Sequence, residues 1–454
     1  MENKIGWMSK EGYMMNRLNL KRLTVLFLVL FVLISVTVVE AEESQNSYIW
    51  IANNVEGTVS KLETDTGREI AKYKTGVTSN TAPLNLAVDG EGNCWVVNKN
   101  SETVIKILAE AQDRNNDGEV KTASDTNNDG KISRDEILDW GSDEAVKLAA
   151  EFSESAPRAI AIDKEGRPWI GLQADRSYAV LNSKTGAVEK KVKVQAKPYS
   201  AIVDNNGNLW SAGAEDKSLE KIDTTKEHYL KGYDLKTEIH NLTVNAEGIV
   251  WAVGHNSDAL VKFNPQEEKS DSYFGPGQTG RGITVDSENN VWVSYANDKV
   301  TKFDSTGNEL LSVSLGNQAS GLTGISVDFY GYIWTVNKTT NNLTKINSQG
   351  DIIANYEVGD NPVSYGDFTG FSHQYFTNKE AIEVAVKQNT DKEYLSLGED
   401  TIKGTISLEG LGNPLVSPRK PIDLVLVIDK SGSMRGSKIR NAREAAKKVI
   451  DLIK

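Results

Sequence analysis

The chain has 454 residues, a formal net charge of −12 and a pI of about 5.1. A chain of this length usually holds two or more domains. The acidic balance argues against nucleic-acid binding, which needs a basic surface that displaces counterions. Cys94 is the only cysteine. No disulfide can therefore form within the chain, and an exported form must take its stability from its core or from metals.

An apolar segment lies near the N-terminus. Residues 23–39 form a 17-residue apolar run behind Arg17, Lys21 and Arg22, and small residues follow at the positions that a signal peptidase reads. The pattern predicts a secretory signal peptide over residues 1–41, and a protein that is secreted or displayed at the cell surface. An uncleaved anchor is the alternative, although a membrane span prefers about 20 apolar residues. No other apolar run is long enough to span a membrane.

A short phrase recurs along the chain, and residues 198–210 are its clearest copy. An apolar run ends in Asp204, a turn with Gly207 follows, and Trp210 opens the next apolar run. An Asp or Asn stands six residues before the Trp in each of six copies, and most Trp residues are 41 or 42 residues apart. The Trp residues that belong to the repeat stand at 50, 95, 169, 210, 251, 292 and 334, so the interval between Trp95 and Trp169 carries about 32 extra residues. A period near 41 with short strands is typical of a propeller.

Each unit reads as four strands, which is one propeller blade. Seven second strands carry a Trp, beginning with Trp50, and seven first strands begin near residues 83, 157, 198, 239, 280, 322 and 362. The two sets are offset, because the first strand at 362–368 has no Trp after it. We therefore expect 362–368 to pair with 47–52 and to close the ring, which removes an open sheet edge. An open solenoid of short strands is the alternative. The recurring Trp residues are interpreted as core positions.

The phrase Pro-x-x-Ile-Ala-Val-Asp-x-x-Gly-Asn-x-Trp resembles the streptogramin (virginiamycin B) lyase family and related NHL-type propellers over residues 47–376. The resemblance implies a propeller fold and, in the lyases, a magnesium ion held by His and Glu of neighbouring blades. Those positions do not match here. Arg281 stands where the strand His is expected, Tyr295 stands where Glu is expected, and the strand that follows His240 offers no acid at 251–254. We therefore take the fold from the resemblance and do not predict the lyase activity.

The residue after each strand-opening position is expected at one mouth of the propeller. Arg158, His240 and Arg281 hold three of these places, and together they would receive an anionic group. The other interpretation is that they are solvated residues of the rim.

The long interval between Trp95 and Trp169 predicts a calcium-loop insertion over residues 109–156. Residues 125–136 fit an EF-hand loop at every liganding position, and Gly130 makes the sharp turn. The expected oxygen ligands are Asp125, Asn127, Asp129, the Lys131 carbonyl, Ser133 and a bidentate Glu136.

A second calcium ion is expected in the loop that begins at Asp113, with Asn115 and Asp117 as further ligands. This loop lacks the bidentate Glu, because its twelfth position is Ser124. Asp125 would then serve both loops, an arrangement that resembles the tandem calcium loops of dockerins or thrombospondin repeats. A helix capped by Ser142 is predicted over 143–152. With a helix on one side only, we expect a structural calcium site rather than a sensor.

The repeat ends near residue 376. Residues 377–421 are interpreted as a short β-rich connecting region, and 422–428 then form an apolar run suited to a buried parallel strand. An Asp-x-Ser-x-Ser loop at 429–433 and an amphipathic helix over 438–453 follow. This order resembles the start of a von Willebrand factor A domain and its metal-ion-dependent adhesion site (MIDAS).

That resemblance implies that Asp429, Ser431 and Ser433 supply oxygens to Mg²⁺ or another divalent ion, and that a partner carboxylate completes the coordination. One strand and one helix cannot bury a core, so we expect residues 422–454 to be only part of this domain. Its phosphate-loop alternative is disfavoured, because the Walker lysine pattern is absent from this sequence.

The sequence thus predicts an all-β chain: a seven-bladed β-propeller with a calcium-loop insertion over 42–376, followed by the start of an α/β von Willebrand factor A domain. The predicted function is extracellular or cell-surface adhesion. A protein ligand offering a carboxylate would bind the A-type domain, and an unidentified partner would bind the propeller face, with no nucleic acid and no membrane span beyond a possible N-terminal anchor. The alternative is a propeller enzyme of lyase or lactone-hydrolase type, whose catalytic positions the sequence does not match.

Overall fold

The structure is a computed structural model that describes residues 48–275 and 278–377, together with the backbone of two strands, Glu383–Thr390 and Gly404–Leu411. Contacts divide the chain after Ser44, and everything described here belongs to the second unit, Gln45–Lys454. The predicted signal peptide and the predicted A-type residues 422–454, with Asp429, Ser431 and Ser433, lie outside the described residues.

Six four-stranded antiparallel sheets follow one another along the chain, and each is one blade with its first strand innermost. The strands, in chain order, are β4–β7 (Pro83–Val88, Cys94–Asn98, Thr103–Ile107, Val146–Glu151), β8–β11 (Pro157–Ile162, Pro168–Leu172, Ser177–Leu181, Val188–Lys193), β12–β15 (Ser200–Val203, Asn208–Gly213, Ser218–Asp223, His228–Asp234), β16–β19 (Ile239–Val244, Val250–Gly254, Ala259–Asn264, Lys269–Phe274), β20–β23 (Gly280–Val285, Val291–Tyr295, Lys299–Phe303, Glu309–Ser314) and β24–β27 (Leu322–Val327, Ile333–Asn337, Asn342–Ile346, Ile352–Glu357).

A seventh blade is assembled from both ends of the ring. Its N-terminal part is the three-stranded sheet β1–β3 (Tyr48–Asn53, Thr58–Glu63, Glu69–Lys74). Residues 362–368 lie along β1: the Val363 amide donates to the Ala52 carbonyl at 2.9 Å, and the Trp50 amide donates to the Phe368 carbonyl at 3.0 Å. The prediction of a seven-bladed ring closed by 362–368 is confirmed. Because this segment keeps only an isolated bridge to β1, between Pro362 and Asn53, it is more irregular than a full strand.

The seven repeated Trp side chains are core residues, as predicted, with exposures of 0 or 1%. In five blades the indole Nε1 donates to the Asp six residues earlier, at 2.7–3.0 Å. In six blades a Lys ammonium of the third strand lies 5.0–5.7 Å from the centre of the Trp ring. The repeated sequence phrase therefore encodes a buried hydrogen bond between Asp and Trp, and a lysine makes a cation–π contact with the same Trp ring.

The insertion joins the third and fourth strands of one blade and spans residues 108–145. The predicted helix over 143–152 is wrong, because Val146–Glu151 is β7, the outer strand of the blade, which pairs with Thr103–Ile107. Without β7 that blade would lack its fourth strand, and the tertiary pairing overrides the helical spacing of the apolar residues. The insertion itself contains one 3₁₀ turn, Arg134–Glu136.

The insertion packs against the outer strand of the composite blade. Ala109, Ala123 and Ala145 join the cluster of buried apolar residues that also contains Trp50 and Tyr73. The insertion therefore covers β3, an outer strand that would otherwise leave its edge exposed to solvent.

Three small features complete the described residues. Gly316–Gln318 is a 3₁₀ turn, His373–Thr377 is a π-helical turn, and Glu383–Thr390 pairs antiparallel with Gly404–Leu411. This last hairpin, β28–β29, lies within the short β-rich connecting region that the sequence predicts over 377–421. Among the described residues, no helix has the length and hydropathy needed to cross a membrane.

Candidate functional site

The predicted mouth residues converge at the end of the propeller where the first strands begin. The guanidinium of Arg158 lies 4.2 Å from the centre of the Tyr199 ring. The His240 ring is edge-on to Tyr199 at 5.5 Å and to Tyr365 at 5.0 Å between ring centroids. His255 stacks on His240 at 5.2 Å with an interplanar angle of 13°. We call these residues, together with Arg281, the mouth cluster.

Four blades and the closing segment supply the mouth cluster. Arg158, His240 and Arg281 are the second residues of β8, β16 and β20, and Tyr199 directly precedes β12. These strands start at the same end of the ring, so that side chains far apart in sequence meet. The irregular register that follows the strand-opening residue in β8, β16 and β20 marks a bulge at each of these positions. Bulges re-aim side chains in this way beside functional sites.

The electrostatics of the mouth cluster are those of two guanidinium groups beside neutral imidazoles. Burial, with smaller contributions from His255, Arg281 and Arg158, lowers the pKa of His240 to about 3. Burial also lowers the pKa of His255, while the nearby Glu238 opposes the shift. Burial raises the pKa of Tyr365 to about 12. At neutral pH the charges of the cluster therefore come from Arg158 and Arg281.

Both arginines lack an acidic partner within 48–275 and 278–377. Two other arginines of the blade that contains Arg158 form ion pairs. Arg167 lies 2.9 Å from Asp163, and Arg176 lies 3.6 Å from Asp216. Arg158 Nε, His240 Nδ1 and His255 Nδ1 are buried and find no hydrogen-bond partner among the described residues. A buried polar atom without a partner is costly, so these three atoms make the mouth cluster the candidate site for a polar ligand.

The sequence identified three of the six members of this cluster. Tyr199 occupies the same strand-opening position and was therefore accessible to the same argument. Tyr365 lies in the closing segment, where its pairing with β4, through hydrogen bonds to Leu84 and Leu86, carries it to the mouth. His255 follows the second strand of its blade and has no periodic signal, so only the folded ring reveals it.

A small cavity lies between the first strands of the ring, and none of the mouth-cluster residues lines it. This cavity of about 40 Å³ is lined by the middle residues of the first strands, among them Ile160, Ala201 and Ile283. Ser372 and His373 of the segment at 371–377 also line this cavity. The Tyr375 hydroxyl of the same segment donates to the Ser287 carbonyl at 3.5 Å.

In the predicted calcium loop at 125–136, backbone amides of the loop donate hydrogen bonds to the carboxylate of its last residue, Glu136. Glu136 Oε1 accepts hydrogen bonds from the backbone amides of Thr126 and Asn127, and its Oε2 accepts from Ser133. These bonds lower the pKa of Glu136 to about 2, the Ser133 backbone bond being the largest cause. The two oxygens of Asp125 accept from the amides at 129 and 130. The loop thus gathers its oxygen-bearing residues into one turn.

The loop that begins at Asp113 has the same arrangement, with a glutamate that lies beyond the loop. Glu144 Oε1 accepts from the amides of Arg114 and Asn115 at 3.0 and 3.2 Å, and its Oε2 accepts from Lys121 at 2.8 Å. These are the second, third and ninth loop positions, the same three that Glu136 contacts in the other loop. Glu144 therefore holds the place that the sequence leaves to Ser124 or Asp125.

The donor set of both loops fits calcium. All candidate ligands are oxygens, from carboxylates, amides, a carbonyl and a hydroxyl, which is the preference of this hard cation. Among the described residues, no group of three or more His, Cys, Asp or Glu is arranged to hold a metal ion. The two loops would also rely on amide, carbonyl and hydroxyl oxygens. In the first loop Lys121 forms an ion pair with Asp117.

No protein-family model matches the chain, and no curated protein matches it either. Solved structures match its fold. Virginiamycin B lyase from Staphylococcus aureus has a TM-score of 0.50 and 14% identity over 63% of this chain and 89% of its own. A streptogramin B lyase gives 0.51 and 14% over 66% and 92%. A functionally unknown protein from Desulfotomaculum acetoxidans gives 0.54 and 11% over 71% and 100%. The chain is a seven-bladed β-propeller that shares the fold of the virginiamycin B lyases.

Proposed function

We propose that the chain is an extracellular or cell-surface binding protein whose propeller binds an anionic group at the mouth cluster. The observation that carries this proposal is the convergence of Arg158, His240 and Arg281 from three blades, with no acidic partner for either arginine among the described residues. Arginine recognises carboxylates through paired N–H donors, and a partly buried mouth strengthens such bonds.

Calcium belongs to this proposal as a structural ion. The loop at 125–136 would take one Ca²⁺, and the loop that starts at Asp113 would take a second with Glu144 as its bidentate ligand. This insertion contacts β3 and the neighbouring blade, for example through the Lys131–Glu357 ion pair at 2.7 Å. Bound calcium would therefore stabilise the composite blade.

The adhesive part of the proposal rests on the sequence resemblance at 422–454. Asp429, Ser431 and Ser433 would hold Mg²⁺ in the complete A-type domain, and a protein ligand would contribute a carboxylate to that ion. The signal peptide over 1–41 would place both domains outside the cell. The propeller and the A-type domain would then be two binding modules of one protein.

The alternative is a propeller enzyme of lyase or lactone-hydrolase type. It is supported by the fold shared with two lyases and by Glu238, whose charge acts on His255 at the mouth. An acid beside a histidine is the start of general acid–base chemistry. Turnover of small cyclic esters, abolished in a His255→Ala variant, would favour this alternative.

The proposed binding is tested by titrating propionate, a minimal carboxylate, into the full chain by ligand-observed NMR. We expect binding that an Arg158→Ala/Arg281→Ala variant loses and that the control Arg176→Ala retains, because Arg176 is paired on the surface. No difference between these variants would refute the mouth as an anion site. Capture of a protein partner that EDTA abolishes would support the A-type part separately.

A further inference from the structure

We infer that the mouth cluster binds a hydroxycarboxylate, a molecule that carries a hydroxyl group on the carbon next to its carboxylate. The inference rests on the proposed function, since it names the class of ligand for the same site. It follows from the hydrogen-bonding groups that the cluster leaves without partners.

The first requirement on the ligand is a set of acceptors with negative charge. The guanidinium of Arg158 lies 4.2 Å from the centre of the Tyr199 ring, a cation–π contact that gives its N–H donors no anionic acceptor. Its buried Nε finds no acceptor among the described residues. Arg281 acts electrostatically on His240, His255 and Tyr365, which places a second positive charge at the same mouth. A carboxylate supplies acceptors and charge together.

The second requirement is a donor. A neutral imidazole has one N–H and one lone pair, and the hydrogen bond of one nitrogen decides the role of the other. His240 forms a hydrogen bond to the Arg281 backbone, and its Nδ1 is the buried nitrogen that has no partner within the described residues. A nitrogen that donates to a carbonyl leaves Nδ1 as a lone pair. A ligand with an O–H or N–H satisfies this lone pair.

The third requirement is that donor and acceptor lie close together. Arg158 and His240 both contact the Tyr199 ring, at 4.2 Å and 5.5 Å from its centre. A single small ligand beside Tyr199 can meet both groups when its hydroxyl adjoins its carboxylate. An ammonium donor is disfavoured, because Arg158 and Arg281 repel a second cation at the same mouth.

Three small probes separate these requirements. Lactate carries both groups, propionate lacks the hydroxyl, and 1,2-propanediol lacks the carboxylate; the three have the same carbon chain length. We expect lactate to bind the full chain about tenfold more tightly than propionate, since a site with an unmet polar group discriminates against a ligand that leaves it unmet. Propanediol should not bind measurably.

Two variants assign the effect to named atoms. His240→Phe keeps an aromatic ring and removes the Nδ1 lone pair, so it should lose the preference for lactate while still binding propionate. The control His228→Phe changes an exposed histidine of β15 and should keep the preference. Circular dichroism and a melting curve of each variant establish that it is folded before its affinities are compared.

The outcomes distinguish this inference from the function on which it rests. Equal affinities for lactate and propionate overturn the hydroxyl requirement and leave the anion site intact. If neither carboxylate binds, both the hydroxycarboxylate inference and the proposed anion site are overturned. Both are also overturned if propanediol binds as tightly as lactate. Tighter binding of inorganic phosphate than of lactate overturns the inference in favour of an inorganic anion.

Discussion

Asn245 stands where five other copies of the repeated phrase have aspartate, and the structure shows the consequence. Its Oδ1 accepts from the amides of Glu247 and Ile249, as the aspartates do at the equivalent positions. The second branch is then an NH₂ group facing Trp251, whose indole Nε1 is buried without an acceptor among the described residues. Two donors therefore face each other in this blade, whereas the other copies pair a donor with a carboxylate oxygen.

Replacing Asn245 with Asp should stabilise the propeller. The new carboxylate supplies the acceptor that Trp251 lacks, and Lys262, 5.5 Å from the Trp251 ring, is placed to offset its charge. A hydrogen bond to a charged group contributes about 1.5–3 kcal/mol, from which burial of the carboxylate subtracts, so we expect a net gain of about 1 kcal/mol. Thermal unfolding followed by circular dichroism measures the change.

The reverse substitution is the matched control for that experiment. Trp292 donates to Asp286 at 2.9 Å. Asp286→Asn should lower the melting temperature, because it creates the same pair of opposed donors in an intact blade. A rise for Asp286→Asn, or a fall for Asn245→Asp, would contradict the interpretation of the phrase as an Asp–Trp hydrogen bond.

His240 gives the propeller a defined dependence on pH. Its pKa is lowered to about 3 in the folded chain, mainly by burial, and is about 6.5 in the unfolded chain. The unfolded state therefore binds more protons between these values, and the stability that neutral His240 contributes is lost as the pH falls from 6.5 towards 3. The loss approaches about 1.4 kcal/mol per pH unit.

A His240→Phe variant should therefore lose less stability than the natural chain between pH 6.5 and pH 4. Urea unfolding at several pH values measures the difference. Asp328 and Asp367, whose pKa values burial raises to about 6, act in the opposite direction, but they are present in both proteins and cancel in the comparison. Parallel pH profiles for the two proteins would mean that His240 is charged or exposed in the folded state.

At the scale of elements, the insertion consists of two loops that are built alike although their glutamates come from different places. Glu136 ends its own loop, and Glu144 lies twenty residues beyond the twelfth position of the other. Each glutamate bonds the second, third and ninth amides of its loop. The loop at Asp113 is therefore complete only after the chain has passed through the second loop.

Glu136→Gln and Glu144→Gln should each remove one of two calcium ions. Isothermal titration of the full chain gives the stoichiometry, and we expect two sites in the natural chain and one in either variant, since the bidentate carboxylate is lost. Glu119→Gln, which changes an exposed glutamate of the same insertion, should leave two sites. If Glu144→Gln still bound two ions, Glu144 would be only a structural hydrogen-bond acceptor.

The blades are predicted correctly from the sequence, and the loop at 125–136 is recognised as a calcium-loop candidate, because these signals are local. A Trp every 41 residues and ligands at fixed offsets need no tertiary information. Glu144 and His255 were not predictable, because each acts on residues that only the folded chain brings near. The strand Val146–Glu151 was mistaken for a helix for a related reason: its partner, β6, is separated from it by the whole insertion.

At the scale of the whole molecule, the ring depends on a blade that is made from two distant parts of the chain. Phe368 is fully buried, and it lies in one cluster with Trp50 of the same composite blade and Trp334 of the adjoining blade. Its carbonyl accepts from the Trp50 amide, so it joins the first strand of the ring to the last segment. Closure is thus the least local contact of the fold, and loop-closure entropy opposes it more than it opposes pairing within a blade.

Phe368→Ala should open the ring at this blade. Truncation of a buried Phe costs about 3–5 kcal/mol, and here the loss falls on contacts between the two ends. The matched control is Phe303→Ala, which removes an equally large buried Phe from a blade that is continuous in sequence. Both variants should melt at lower temperatures, so hydrogen exchange of the amides at 48–53 is the deciding measurement. Those amides should exchange faster in Phe368→Ala alone, because β1 loses its inner neighbour only there; equal exchange in the two variants would mean that the ring unfolds as one unit and that the composite blade is no weaker than the rest.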